Sequence, residues 1–245
     1  FSDNELLSPV LENYLKFDDS DPVQAANRRA ALAWLSARKG KAQVSASDIT
    51  TRDRAEFMAY AFETYFRIAS AAVRKADPNH LYLGSRLHAR EKENPWVLKA
   101  AGRYCDVIAI NYYKVWGPDL DQMREWTEWS GRPVIITEWY AKGDDAGFPN
   151  TTGAGWVVRT QRDRGLYYQH YALGCLEAGN CVGWHWFKYQ DNDITDTQAE
   201  ASNRDSNKGV VRVDYTPYAA LFDLMRPLNR EVYPLTSFFD ARAAR

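Results

Sequence analysis

With 245 residues the chain is long enough for one large domain, and its 45% hydrophobic and 26% charged content is ordinary for a globular protein. Thirty-one Lys and Arg against 32 Asp and Glu leave a net charge of −1, which gives no electrostatic case for nucleic acid or an anionic membrane. No apolar run reaches the length needed to cross a bilayer, so no membrane span is expected.

The elements alternate from the start. "FSDNELL", Phe1 to Leu7, reads as the end of a strand that presents Asn4 and Glu5. Asp21-Pro22 is an N-cap followed by Pro at N1. It opens a helix through Ala25, Ala26, Ala30, Leu32, Trp34 and Leu35 that stops near Gly40. A longer helix is expected from about Ser47 to Ala76, with Phe57, Tyr60, Ala61, Tyr65, Ile68 and Ala72 at helical spacing. "LYLGS", Leu81 to Ser85, reads as a short strand. Three helix–strand units follow: helix Pro95 to Tyr104 with strand Asp106 to Tyr113, helix Leu120 to Ser130 with strand Pro133 to Tyr140, and helix Trp156 to Ala178 with strand Cys181 to Tyr189. A last helix, Pro217 to Leu228, precedes a polar tail. No Ser- or Pro-rich linker interrupts the series, which reads as one domain.

Helices alternating with continuous apolar strands predict an α/β fold with a helix-covered parallel sheet. A doubly wound sheet and a (β/α)₈ TIM barrel both fit. The barrel is favoured because polar and aromatic groups gather at the C-terminal strand ends: Glu5, Arg86 and His88, Asn111 and Tyr113, Glu138, Trp186 and Lys188. No glycine-rich loop follows a strand, which argues against a nucleotide site.

Two carboxylates stand out. Glu138 closes the run "VIITE", where an ionised group costs several kcal/mol (about 2–7) unless it is paired, so it is either a salt-bridge partner or chemistry. With Glu5 at another strand end, the pair fits retaining glycoside hydrolysis, in which carboxyl groups about 5 Å apart serve as acid/base and nucleophile.

Other groups are read more plainly. Cys105, Cys175 and Cys181 fit free buried thiols better than a metal site or redox pair. Asp191, Asn192, Asp193 and Asp196 lack a complete calcium ligand set and read as a solvated loop. His185, between Trp184 and Trp186 and so pointing opposite to them, reads as a packed or hydrogen-bonded core residue ahead of a substrate contact. His88 either meets ligand or lies on a loop. Nine Trp and 15 Tyr imply a large core or sugar stacking, and Trp116 and Trp156 fit either a sugar platform or a loop anchor. Arg86, Arg90 and Lys92 could meet a sulfated sugar or simply water.

The ordered motifs "NE", "INYY", "VIITEW" and "VGWHWFKYQDN" resemble the large clan of retaining (β/α)₈ glycoside hydrolases, from the fourth strand to the eighth. "GWHWFKYQDN", "NKGVV" and "YTPY" together resemble the family 50 β-agarases, while "ITEWYAKG" departs from that family's wording. The resemblance covers Phe1 to about Tyr233. It implies Glu5 as acid/base beside Asn4, Glu138 as nucleophile, and Asn111 with Tyr113 as the groups that orient it. Tyr112 is the lesser alternative to Tyr113. It further implies Trp184 or Trp186 as the aromatic floor of the sugar site, with Arg86, His88, Trp116 and Lys188 as substrate contacts. No cofactor or metal is expected, and the partner is a polysaccharide or oligosaccharide. Location is expected to be secreted or periplasmic. The first three barrel strands are not in this sequence, so the chain is expected to be the C-terminal portion of one catalytic barrel. The rival functions are an exo-acting β-galactosidase or β-glucuronidase of the same clan and a non-catalytic sugar-binding barrel.

Overall fold

The structure is a computed structural model that describes residues 9–198 and 203–243, so Asn4 and Glu5 lie outside the described residues. The chain divides into two compact units, one of residues 1–108 with 128–132 and one of residues 109–127 with 133–245.

The first unit is helical among its described residues. Its elements are α1 (Val10–Leu15), α2 (Pro22–Lys39), α3 (Thr51–Ala76), α4 (Ala89–Lys92) and α5 (Pro95–Tyr104). Helix α2 begins where the sequence placed it, because the Asp21 carboxylate accepts from Val23 N at 2.7 Å and Gln24 N at 3.1 Å. It ends at Gly40, whose φ of 63° is left-handed. Helix α3 starts at Thr51 and not at Ser47, since the Thr50–Asp53 capping box sits there and 46–48 form a separate 3₁₀ turn. Asp53 is buried and also binds Arg38 at 2.6 Å and Lys39 at 2.5 Å, joining the end of α2 to the start of α3. Helix α3 packs on α5, and its buried Phe57 meets Tyr14 of α1 and Trp34 of α2 edge-on.

Leu81–Ser85 is not a strand in this unit, contrary to expectation. Gly84 takes a φ of 68°, which breaks the extended run, and Cys105 Sγ fills the space a β-carbon would need. The segment is held instead by Asp106, which accepts from Tyr82 N at 2.8 Å and donates its own N–H to Tyr82 O at 2.8 Å.

The second unit carries the sheet. Strands β1 (Ile108–Asn111, its last three residues in this unit), β2 (Val134–Glu138) and β5 (Cys181–Trp184) lie in the order β1-β2-β5. β2 and β5 run parallel with Val134 opposite Cys181 and Ile136 opposite Trp184. Helix α6 (Leu120–Ser130) joins β1 to β2, and α7 (Gln161–Glu177) leads into β5. Strands β3 (Ala141–Gly143) and β4 (Trp156–Val158) form a second parallel pair. The expected helix start at Trp156 is therefore corrected to Gln161, where Thr160 and Asp163 form a capping box. Helix α8 (Ala219–Arg230) packs on α7. The expected polar tail is a further helix, α9 (Val232–Ala243), with no buried residue. No helix among the described residues is long and apolar enough to cross a membrane. The three cysteines are free; Cys105 and Cys175 are buried and Cys181 is half-buried.

Candidate active site

The strand run of the sequence positions Glu138. Val134 and Ile136 are fully buried along β2, and Glu138, only 9% exposed, ends it. The neighbouring strand supplies its partner: Tyr113 Oη donates to Glu138 Oε2 at 2.6 Å. The two strand ends are locked by Tyr112 N donating to Glu138 O at 2.9 Å. Asn111, 1% exposed, accepts from Thr137 Oγ1 at 2.8 Å, so its amide is fixed beside the strand end. The phenol's hydrogen bond fixes the orientation of the carboxylate at the strand end.

Side-chain alternation splits the strand ends between two faces. Tyr113 and Glu138 share one face. Tyr112 and Trp139 turn to the other, against α6 and α7. There the Tyr112 ring meets Trp126 edge-on at 5.0 Å, and Trp139 stacks on Tyr171 at 3.9 Å and 11°. Tyr113, and not Tyr112, is thus the tyrosine at the carboxylate.

Both tryptophans expected to floor a sugar beside Glu138 lie on the α7 face. Trp184 Nε1 donates to Tyr168 Oη at 2.8 Å. Trp186 meets Trp139 edge-on at 5.1 Å, lies 5.3 Å from the Arg164 guanidinium and donates to Lys208 O at 2.8 Å. Trp184 and Trp186, two residues apart, keep to one face, and Phe187 falls on the other. His185 is exposed and not a core residue, held by its backbone N–H to Ile136 O at 2.8 Å. The aromatic groups on the Glu138 side form a row instead: Tyr113 meets Tyr140 edge-on at 5.6 Å, and Tyr140 meets Phe187 at 6.0 Å. Phe187 is half-buried, and the buried Lys208 Nζ lies 5.3 Å from its ring centre. Phe187 and Lys208 were not singled out in the sequence; the order aromatic–His–aromatic–Phe hid which ring faces the carboxylate.

A buried polar hub holds this strand end. Asp191 is 4% exposed, which corrects the expectation of a solvated loop for that residue, although Asp193 and Asp196 are exposed. Its carboxylate accepts from Lys208 N at 2.8 Å, Gly209 N at 2.7 Å, Asn207 Nδ2 at 3.0 Å and Tyr218 Oη at 2.7 Å. Arg164 of α7, wholly buried, donates to Ala141 O at 2.8 Å, Gln161 Oε1 at 2.6 Å and Gly209 O at 3.0 Å. Burial pushes its guanidinium down to about 10, against the pull of Asp191, so it stays charged at neutral pH. Lys142 Nζ binds the carbonyls of Asn150 and Thr152 at 3.0 and 2.8 Å, and burial lowers its pKa.

Lys188 is half-buried and donates to Asn192 Oδ1. Trp116 is 51% exposed on the loop after β1. In the other unit, Arg86 is exposed, and His88 is half-buried just before α4. Among the described residues no cluster of three His, Cys, Asp or Glu is arranged to hold a metal ion.

No protein-family model matches the chain. Over 186 residues it is 31% identical to β-agarase B of Vibrio sp. (strain JT0107), covering 75% of this chain and 19% of that protein. Over 187 residues it is 34% identical to β-agarase A of the same strain, covering 73% of this chain and 18% of that one. The crystal structure of BpGH50 is 41% identical with a TM-score of 0.81, over 94% of this chain and 47% of that chain. An exo-beta-agarase structure is 27% identical with a TM-score of 0.70, over 85% of this chain and 30% of its own. The chain thus spans under a fifth of the curated relatives and about half of BpGH50. Its alternation of helices with short parallel strands resembles the BpGH50 fold along almost its whole length.

Proposed function

We propose that this chain carries the nucleophile side of a glycoside hydrolase site that cleaves β-linked galactose-containing polysaccharide, as in the agarases it resembles. The observation that supports it is Glu138, a buried carboxylate at the C-terminal end of a parallel strand with the Tyr113 hydroxyl 2.6 Å away. In this reading the fold is a (β/α)₈ barrel to which the chain contributes strands four to eight. Glu5 and Asn4 belong to the fourth strand.

The chemistry is a double displacement. Glu5 gives its proton to the leaving glycosidic oxygen as Glu138 attacks the anomeric carbon, forming a glycosyl ester. Glu5, now ionised, takes a proton from water, which displaces Glu138 and restores the β configuration. Tyr113 holds Glu138 aimed; Asn111 fixes the same strand end. Phe187, on the Glu138 side, takes the role first expected of Trp184 or Trp186 as the floor under the reacting sugar. Asn4, Arg86, His88 and Lys188 contact substrate, and the polymeric substrate places the enzyme outside the cytoplasm. Exo action is the second reading, favoured by the 27% identity to an exo-beta-agarase.

A 2-fluoro galactoside with a good leaving group tests the mechanism. Mass spectrometry should find the sugar on Glu138, and NMR before mutarotation should show β product from the normal substrate. Inverted product, or label on another residue, refutes the retaining assignment. A ladder of oligosaccharides from agarose indicates endo action, and one short product from the start indicates exo.

A further inference from the structure

We propose that the groove beside Trp116 is a second, non-catalytic binding site that holds a length of neutral galactan chain. The identity of the sugar rests on the proposed function; the site itself does not.

Trp116 and Trp156 are 51% and 44% exposed, and their ring centres lie 6.5 Å apart at 65°. Leaving two indoles side by side in water is costly, and a patch of this kind marks a binding surface. Beside Trp116 lies a groove of about 580 Å³, walled by Trp116, Tyr167 and Leu166 and edged by Arg159, Asp163 and His170. This volume lies within the range of small-ligand sites, roughly 300–1,000 Å³. The groove is shaped by named residues. Trp116 leans on Tyr167 at 5.0 Å, and Tyr167 Oη is tied to Val115 O at 3.2 Å. Gly117 lets His170 lie against the loop, since a β-carbon there would stand 2.7 Å from His170 Nε2.

The lining chooses among ligands. A pyranose ring has an apolar C–H face for an indole and hydroxyls around its edge that both donate and accept. Arg159 offers donors, Asp163 an acceptor and His170 either. An apolar helix would bury Arg159 and Asp163 without matching them, at a desolvation cost. An anionic ligand would meet Asp163. A neutral sugar chain fits both parts.

The site is separate from Glu138. Trp116 meets Tyr167, and Tyr167 meets Trp139 at 5.7 Å, on the α7 face of β2. Glu138 and Tyr113 are on the other. A sugar on Trp116 therefore binds away from the reacting carboxylate, which suits a substrate that must be gripped in one place while it is cut in another.

The test uses the natural-length protein carrying Glu138→Gln, so that bound polymer is not consumed. In native electrophoresis through gels with and without dissolved low-melting agarose, the parent should be retarded by the polymer. Trp116→Ala in that background should weaken apparent affinity about tenfold with an unchanged melting temperature. His170→Ala should weaken it less, and carries the test if Trp116→Ala fails to fold. Retardation that neither substitution changes overturns the proposal, as does an unretarded parent. Equal retardation by an α-glucan overturns the galactan assignment. If Trp116-dependent retardation is seen but the protein with Glu138 intact never cleaves agarose, the binding site stands and the proposed function falls.

Discussion

Replacing Asp191 is the most informative single perturbation of this fold. Its carboxylate accepts four hydrogen bonds, from Lys208 N, Gly209 N, Asn207 Nδ2 and Tyr218 Oη, all between 2.7 and 3.0 Å. It also faces the wholly buried guanidinium of Arg164, whose charge it supports. Hydrogen bonds to a charged group contribute about 1.5–3 kcal/mol each, but four that share one acceptor do not add. Removing one member of a buried charge pair costs about 3–5 kcal/mol, because the other charge is left without compensation. Asp191→Ala should therefore cost about 4 kcal/mol. Asp191→Asn should cost about 2 kcal/mol, since one oxygen still accepts while the new NH₂ group meets donors on Asn207 or Tyr218. The assay is urea unfolding of the second unit's tryptophan signal, with the midpoint falling and the slope unchanged. A loss under about 1 kcal/mol for Asp191→Ala, or an Asn variant as stable as the parent, would refute the hub.

The remaining predictions follow from single contacts. Tyr113→Phe removes the donor to Glu138 and should lower kcat/KM on agarose by about 10–100-fold, the equivalent of about 1.5–3 kcal/mol; an unchanged value would show that the bond contributes nothing to the reaction. Glu138→Gln should reduce turnover at least about a thousandfold with the fold intact by circular dichroism. Gly102→Ala places a β-carbon 1.9 Å from Ser130 O and should destabilise by about 1–3 kcal/mol, read as a lower melting temperature. Asp53 and Asp205 have depressed pKa values. Burial would raise them, but Lys39, Thr50 and Arg38 at Asp53, and Thr151 and Thr152 at Asp205, outweigh it. Their stabilisation should be fully present above the unfolded carboxylate pKa, about 3.9, and be lost as pH falls below it. Asp53→Asn and Asp205→Asn should flatten that acid limb in melts taken between pH 5 and 2.

What could be read in one dimension was set by whether a residue's partners are near it in sequence. Asp21-Pro22 names its own helix start because the cap and the N–H groups it satisfies are two or three positions apart. Glu138 was legible for a different reason: a carboxylate at the end of a buried apolar run is too costly to be idle, whatever surrounds it. Asp191 gave no such sign. It sits in a polar stretch that looks solvated, and the groups that bury it lie 16 to 27 residues further along the chain. The tryptophans were ambiguous for another reason. Their number fitted a core or a sugar equally, and Trp184 and Trp186 satisfy their N–H groups against Tyr168 and the Lys208 carbonyl on the helix side, the ordinary requirement of a packed indole. An aromatic ring serves a core and a ligand with the same chemistry, so only the face it lies on separates them. Two-residue alternation puts Trp184 and Trp186 on one face of the strand end and Phe187 on the other, but the sequence does not say which of the two is the helix face.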